Sequence, residues 1–141
     1  MRVGDATRGQ LPALAKLFEE LSGLPASLKR LESVFGRMTD NPDYHLLAAV
    51  EADDVVGALL GVVCLDCVGE CRPFLVVENV MVAASYRRRG VGRLLVEEVL
   101  RRGRQRGCLY AMLVSGRGRR EARDFYAALG FDAATGYKIR L

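Results

Sequence analysis

The residues best suited to chemistry lie in one stretch, Tyr86-Arg87-Arg88-Arg89-Gly90-Val91-Gly92, and in two separate polar side chains, Glu78 and Tyr126. Three consecutive arginines lead into a pair of glycines, after which apolar residues recur at Val91, Leu94, Leu95 and Val99 with helical spacing. A glycine turn feeding a helix start offers unpaired backbone N–H groups and the positive end of the helix dipole to an anion. Glycine also lets that anion approach the backbone with no Cβ in the way. Arginines on this scale favour a phosphate over a carboxylate. Glu78 interrupts the apolar run from Phe74 to Val82, where a carboxylate needs a partner, water or a purpose. Tyr126 carries a phenol, which stays protonated at neutral pH and is a suitable proton donor.

Two familiar phosphate loops fail against this stretch. A Walker A loop requires G-x4-G-K followed by Ser or Thr, and no segment matches. The dinucleotide fingerprint requires G-x-G-x-x-G, but Leu95 occupies the third glycine position, and Val114-Ser115 stands where an acid should close the next strand. What remains is Arg87-Arg88-Arg89-Gly90-Val91-Gly92, directly after a strand and directly before a helix. It resembles the acyl-coenzyme A loop of the GNAT N-acetyltransferase superfamily, Gln or Arg, two residues, Gly, one residue, then Gly or Ala. Downstream, Ala122 to Phe131 is similar to the family's A-x-x-F-Y-x-x-x-G-F, with Phe125-Tyr126 as the aromatic pair. The opening segment, Arg2 to Phe18, fits the family's first strand and helix, so the likeness spans the chain.

The resemblance implies a single acetyltransferase domain over residues 1–141. Its fold would be the α/β acyl-coenzyme A N-acyltransferase fold, a mixed, mostly antiparallel sheet whose central parallel pair splays open, flanked by about four helices. It also implies direct transfer of an acetyl group from acetyl-coenzyme A to a primary amine of a small molecule or peptide, within a ternary complex and without a metal. The cofactor-binding set is then Arg87, Arg88, Arg89, Gly90, Val91, Gly92 and Arg93 around the pyrophosphate, main-chain groups of Met81 and Val82 along the pantetheine arm, and Phe125 and Tyr126. Tyr126 matches the residue that protonates the leaving thiolate, and Glu78 is the best-placed base, with Asn79 on the opposite face to orient substrate. Two positions depart from the family pattern: Leu113-Val114 supplies no glutamate after the crossover helix, and Arg119 stands near the place of a frequent asparagine. A non-catalytic acyl-coenzyme A sensor on the same fold is the alternative.

Positioning these residues requires the elements around them. Arg2-Val3 reads as a first strand, Gln10–Leu21 as an amphipathic helix stopped by Gly23-Leu24-Pro25, and Ser27 as the cap of a second helix with Leu28, Leu31, Val34, Phe35 and Met38 inward. His45–Glu51, Val55–Leu65 and Arg72–Val82 read as an antiparallel meander, with Gly57 and Gly61 marking a bulge or a close backbone approach. The glycine loop opens a crossover helix from Val91, so the following strand, Cys108–Val114, should run parallel to Arg72–Val82. A last helix spans Arg119–Leu129 with Gly130 at its end, and Phe131–Leu141 should supply one or two final strands.

Composition sets the boundaries. At 141 residues, 50% hydrophobic and 27% charged, the chain has the profile of one globular domain. No apolar run approaches the roughly 20 residues that span a bilayer, and the first residues lack a signal-peptide core, so a cytoplasmic protein without membrane attachment is expected. The formal charge is +4, and the arginines concentrate in the second half, as for a polyanionic ligand. Nucleic acid suits such a face too, but interleaved aromatics and any nucleic-acid motif are missing, which ranks it last. A homodimer remains open. Cys64, Cys67 and Cys71 resemble half a zinc site, without a second pair and with the single histidine, His45, distant in sequence; free thiols are expected instead. Glu19, Glu20, Glu32, Asp40 and Asp43 give the N-terminal region acidic character, favouring a cationic amine.

Overall fold

A computed structural model of the chain describes residues 1–116 and 120–141. The expected helix start at Arg119, and Arg117 and Gly118 before it, lie outside the described residues. The elements in order are β1 (Arg2–Asp5), α1 (Leu11–Ser22), α2 (Leu28–Thr39), β2 (Tyr44–Glu51), β3 (Asp54–Cys64), β4 (Phe74–Val82), α3 (Val91–Gln105), β5 (Ala111–Met112) and α4 (Arg120–Ala127). They form one five-stranded sheet in the order β1-β2-β3-β4-β5. The first four strands pair antiparallel, and β4 pairs with β5 in parallel, as the crossover through α3 demands.

Helices cover both faces of the sheet, which is why β3 reads as a nearly unbroken apolar run rather than an alternating one. One core joins Leu47, Leu59, Leu75 and Val77 to Val91, Leu95, Val96 and Val99 of α3. The other joins Ala48 and Ala58 to Leu11, Leu14 and Leu17 of α1 and Phe35 of α2. Gly57 and Gly61 are the close approaches expected of them. A Cβ on Gly57 would lie 2.9 Å from Val91 Cγ1, and one on Gly61 would run into Val99 Cγ2. The chain-stopping signals also act as read. Gly23 ends α1 at φ 70°, and the Ser27 hydroxyl caps α2 by accepting from the Arg30 N–H at 3.3 Å.

Three expectations are corrected. Residues 131–141 form no strand, and from Asp132 onward they are exposed; β5 offers only a two-residue ladder, too little to template further pairing. That ladder is itself shorter than the expected Cys108–Val114 strand, because β5 leaves β4 after Val76↔Met112. On α2 only Phe35 is buried, while Leu28 and Val34 are exposed. This helix lies at the margin, on α1 and β2, so a narrower stripe suffices to seat it.

Candidate active site

The glycine loop sits where the sheet opens. The β4–β5 ladder comprises Leu75↔Ala111 and Val76↔Met112, and β4 then continues alone on that side to Val82. The resulting notch lies at the carboxyl ends of two parallel strands, the usual place for a ligand in such sheets. Within β4, Glu78 pairs with Leu60 and Met81 with Ala58, so Asn79 and Val80 together oppose Leu59. This is a one-residue bulge, and Asn79 takes φ 52° to make it. Asparagine tolerates that left-handed geometry better than most side chains.

At the end of β4 a turn at Ala84–Tyr86 passes into the arginines. Arg88 (φ 60°) and Gly90 (φ 83°) are both left-handed, and Gly90 is the N-cap of α3. Gly90 supplies that conformation without strain. No side chain caps the helix, whose first intrahelical bond is Leu94 N–H to Gly90 C=O at 3.0 Å. The N–H groups of Val91, Gly92 and Arg93 thus precede the helical ladder and lie at the dipole's positive end. Val91 turns its side chain into the core, 1% exposed, so it pins the loop and offers the site only backbone.

The loop arginines are held differently from one another. Arg87 Nε donates to the Val82 carbonyl at 3.4 Å. Arg89 pairs with Glu51 at 3.3 Å, and its guanidinium lies 4.7 Å from the Tyr86 ring centroid. Arg93 pairs with Glu97 one turn on. All are exposed, as is Arg88.

The aromatic pair closes the other side of the notch. A Cβ on Gly92 would lie 3.2 Å from Phe125 Cζ and 3.7 Å from Val82 Cγ2, so the loop, β4 and α4 meet at a glycine. Tyr126 stacks edge-on with Phe125 at 5.0 Å and with Phe131 at 5.7 Å. The Tyr126 carbonyl accepts from the Phe131 N–H at 3.1 Å, with Gly130 at φ 88° turning the chain there. Both aromatic side chains are half-buried.

Glu78 and Asn79 are exposed on β4. Directly opposed residues in a sheet point to one face, so Glu78 shares its face with Leu60 and, through Leu46↔Leu60, with Leu46. That is the α1–α2 side. His45 lies on the other face, beside Gly61 and Arg102 at the C-terminal end of α3, remote from the glycine loop. Burial holds its pKa below the ordinary histidine value, and Arg102 and Arg106 add to this.

The arginines that end α3 serve the scaffold. Arg102 bridges Glu98 at 2.8 Å and Asp5 of β1, and Arg106 bonds the Pro42 carbonyl and the Asp43 carboxylate. These two positive charges are thereby neutralised at the end of α3 opposite the loop. All four cysteines are free, and among the described residues no group of three or more His, Cys, Asp or Glu side chains is placed to hold a metal. Among the described residues no helix is long and apolar enough to cross a membrane.

Comparison with known proteins decides the family. The model of the acetyltransferase (GNAT) family matches residues 11–131. The chain belongs to that family. Among solved structures it is similar to an unconfirmed acetyltransferase of Agrobacterium tumefaciens str. C58, with 26% identity, a TM-score of 0.93 and 100% of both chains covered. Glucosamine-6-phosphate N-acetyltransferase of Arabidopsis thaliana superposes with a TM-score of 0.90 at 14% identity, over 99% of this chain and 97% of that one. Aminoglycoside N-acetyltransferase AAC(6')-Iy, solved with coenzyme A, gives 0.77 at 19% identity, over 99% and 100%. These last two likenesses show the fold alone. No match is found among curated protein sequences. The GNAT assignment establishes the acetyltransferase fold, with the β4–β5 notch as its central feature.

Two features were not read from the sequence: the bulge at Asn79 and the tie from Arg89 to Glu51. A Glu-Asn pair inside an apolar strand was the available signal for the first.

Proposed function

We propose that this GNAT protein is an N-acetyltransferase that moves the acetyl group of acetyl-coenzyme A to a primary amine. The carrying observation is the uncapped, left-handed start of α3 at Gly90, set at the mouth of the β4–β5 notch. A pyrophosphate suits the N–H groups of Val91, Gly92 and Arg93, with the loop arginines supplying surrounding positive charge. The contact distance at Gly92 supports a fitted cradle, since a side chain there would press on Phe125.

Acetyl-coenzyme A supplies an activated thioester. The chain's own contributions follow from its geometry. The open edge of β4 at Met81 and Val82 offers main-chain groups along the notch, and the bulge interrupts the ladder beside them. Glu78, exposed on the acceptor side, takes a proton from the incoming ammonium directly or through water. The amine nitrogen bonds to the acyl carbon, the carbon–sulfur bond breaks, Tyr126 gives its phenolic proton to the leaving sulfur, and the second nitrogen proton passes to solvent as the amide forms, while solvent reprotonates the phenolate. The acceptors named for two of the structural neighbours, glucosamine-6-phosphate and the aminoglycosides, are amines, which supports that substrate class.

Thiol release from acetyl-coenzyme A across a panel of primary amines tests the reading. Amine-dependent release is the expected result. Tight coenzyme A binding with no turnover on any amine would convert the assignment to a sensor.

A further inference from the structure

The face of the sheet that carries Glu78 also holds a cavity of about 140 Å³. Phe18 of α1, Leu31 and Met38 of α2, Leu46 of β2, Leu60 of β3 and Asn79 of β4 line it. We propose that this cavity receives the apolar body of the acceptor, so that the substrate is a primary amine bearing a phenyl ring or a branched aliphatic group of similar size. The inference rests on the acetyl-transfer reading above and narrows it.

Three observations carry it. The cavity matches its proposed occupant in size and character, since an apolar cavity of about 150 Å³ lined by Leu, Ile and Phe stays dry and takes up benzene. None of its lining residues is acidic, and Glu78 stands beside it opposite Leu60. The acidic residues of this region are engaged or turned outward: Glu19 accepts from the Ala26 N–H at 3.4 Å, Asp43 is paired with Arg106, and Glu20, Glu32 and Asp40 are exposed. A monoamine therefore meets one carboxylate, Glu78, at the cavity edge, and a polycation finds no further counter-charge along the lining. The third observation is orientation. Asn79, the polar member of the lining, is the bulged residue, and Glu78 lies directly opposite Leu60 on the same face. An amine whose ring fills the cavity has its polar end at Glu78 and Asn79, where β4 turns toward the notch. Spermidine or an amino sugar would strip water from polar groups at this wall with nothing to replace it.

The test measures binding and turnover side by side on the full chain. With coenzyme A saturating, calorimetry compares 2-phenylethylamine, isopentylamine, spermidine and glucosamine. Since one methylene in an apolar pocket discriminates by about ten-fold or more, 2-phenylethylamine should bind at least that much more tightly than spermidine or glucosamine. Met38→Trp, which fills the cavity, should weaken 2-phenylethylamine about ten-fold, and Leu60→Ala, which enlarges it, should shift preference to 2-(1-naphthyl)ethylamine. Should the tryptophan variant fail to fold by circular dichroism, Leu60→Ala decides alone. Tighter binding of spermidine or glucosamine, or unchanged affinity and preference in the folded variants, overturns the proposal. Thiol release separates the two readings. No turnover with any amine, with the binding order kept, refutes acetyl transfer and leaves the cavity assignment standing. Turnover with the polar amines alone keeps acetyl transfer and removes the cavity assignment.

Discussion

Gly92→Val tests the loop at its tightest point. The added Cβ arrives 3.2 Å from Phe125 Cζ and 3.7 Å from Val82 Cγ2, closer than ordinary carbon contact on the first count. Valine then places two methyl groups beyond that Cβ, against a ring that already packs edge-on with Tyr126 at 5.0 Å. Overpacking of this kind costs about 1–3 kcal/mol. The strain is relieved most cheaply by moving α4, which is half-exposed, rather than the start of α3, which Val91 anchors in the core. Either movement spoils the cradle. A hydrogen bond to a charged group is worth about 1.5–3 kcal/mol, so losing one N–H to the pyrophosphate should weaken coenzyme A about 10–100-fold. Gly92→Ala separates contact from bulk. Alanine gains about 1 kcal/mol of helix propensity over glycine, which offsets a contact that Phe125 can relieve by shifting a few tenths of an ångström. The alanine variant should therefore melt near the parent temperature with only a modest loss of affinity. Calorimetric titration of coenzyme A, paired with thermal melts by circular dichroism, measures both. A folded Gly92→Val protein that binds coenzyme A as tightly as the parent would refute the loop assignment.

The remaining predictions address chemistry and stability. Tyr126→Phe and Glu78→Gln should each lower kcat by about 10²–10⁴ while leaving the coenzyme A dissociation constant unchanged, as expected for proton-transfer groups; equal losses in affinity and rate would show a packing role instead. Gly61→Ala drives a methyl into Val99 at the centre of the α3 core and should cost about 1–3 kcal/mol in urea unfolding, so an unaltered midpoint would contradict the close approach. Hydrogen bonding to Arg101, with further help from Arg102 and against the opposing effect of burial, holds the Glu98 carboxyl down at about 2, from an ordinary value of 4.5. A carboxyl with a depressed folded pKa contributes stability above its unfolded pKa and loses it as pH falls through the folded one. Allowing for the exposure of Arg101, that contribution is about 2 kcal/mol. The stability gap between the parent and Glu98→Gln should accordingly close between pH 4.5 and about 2, and a gap that stays constant would rule the ion pair out as its source.

Local physics made most of the chain readable. Helices α1 and α3 followed from apolar periodicity, and Gly23, Ser27 and Gly130 marked ends because a left-handed residue or a capping hydroxyl acts within a single turn. The strand, the glycine turn and the start of α3 were readable for the same reason, since they follow one another directly in the chain. Even the parallel run of β5 followed from the crossover rule.

Tertiary structure decided the rest. Leu28 and Val34 have the right spacing for a core, yet α2 lies at the margin of the sheet, where one stripe is enough. Residues 137–141 alternate like a strand, but pairing needs a partner edge, and β5 provides two residues of it. The bulge at Asn79 depends on the register of β4 against β3, a relation between residues far apart in sequence. The acceptor cavity is a further step removed, since its walls come from α1, α2, β2, β3 and β4. A glycine turn into a helix is built from consecutive backbone groups and is therefore written in consecutive residues. A cavity is the space left between packed elements, and only the packing defines it.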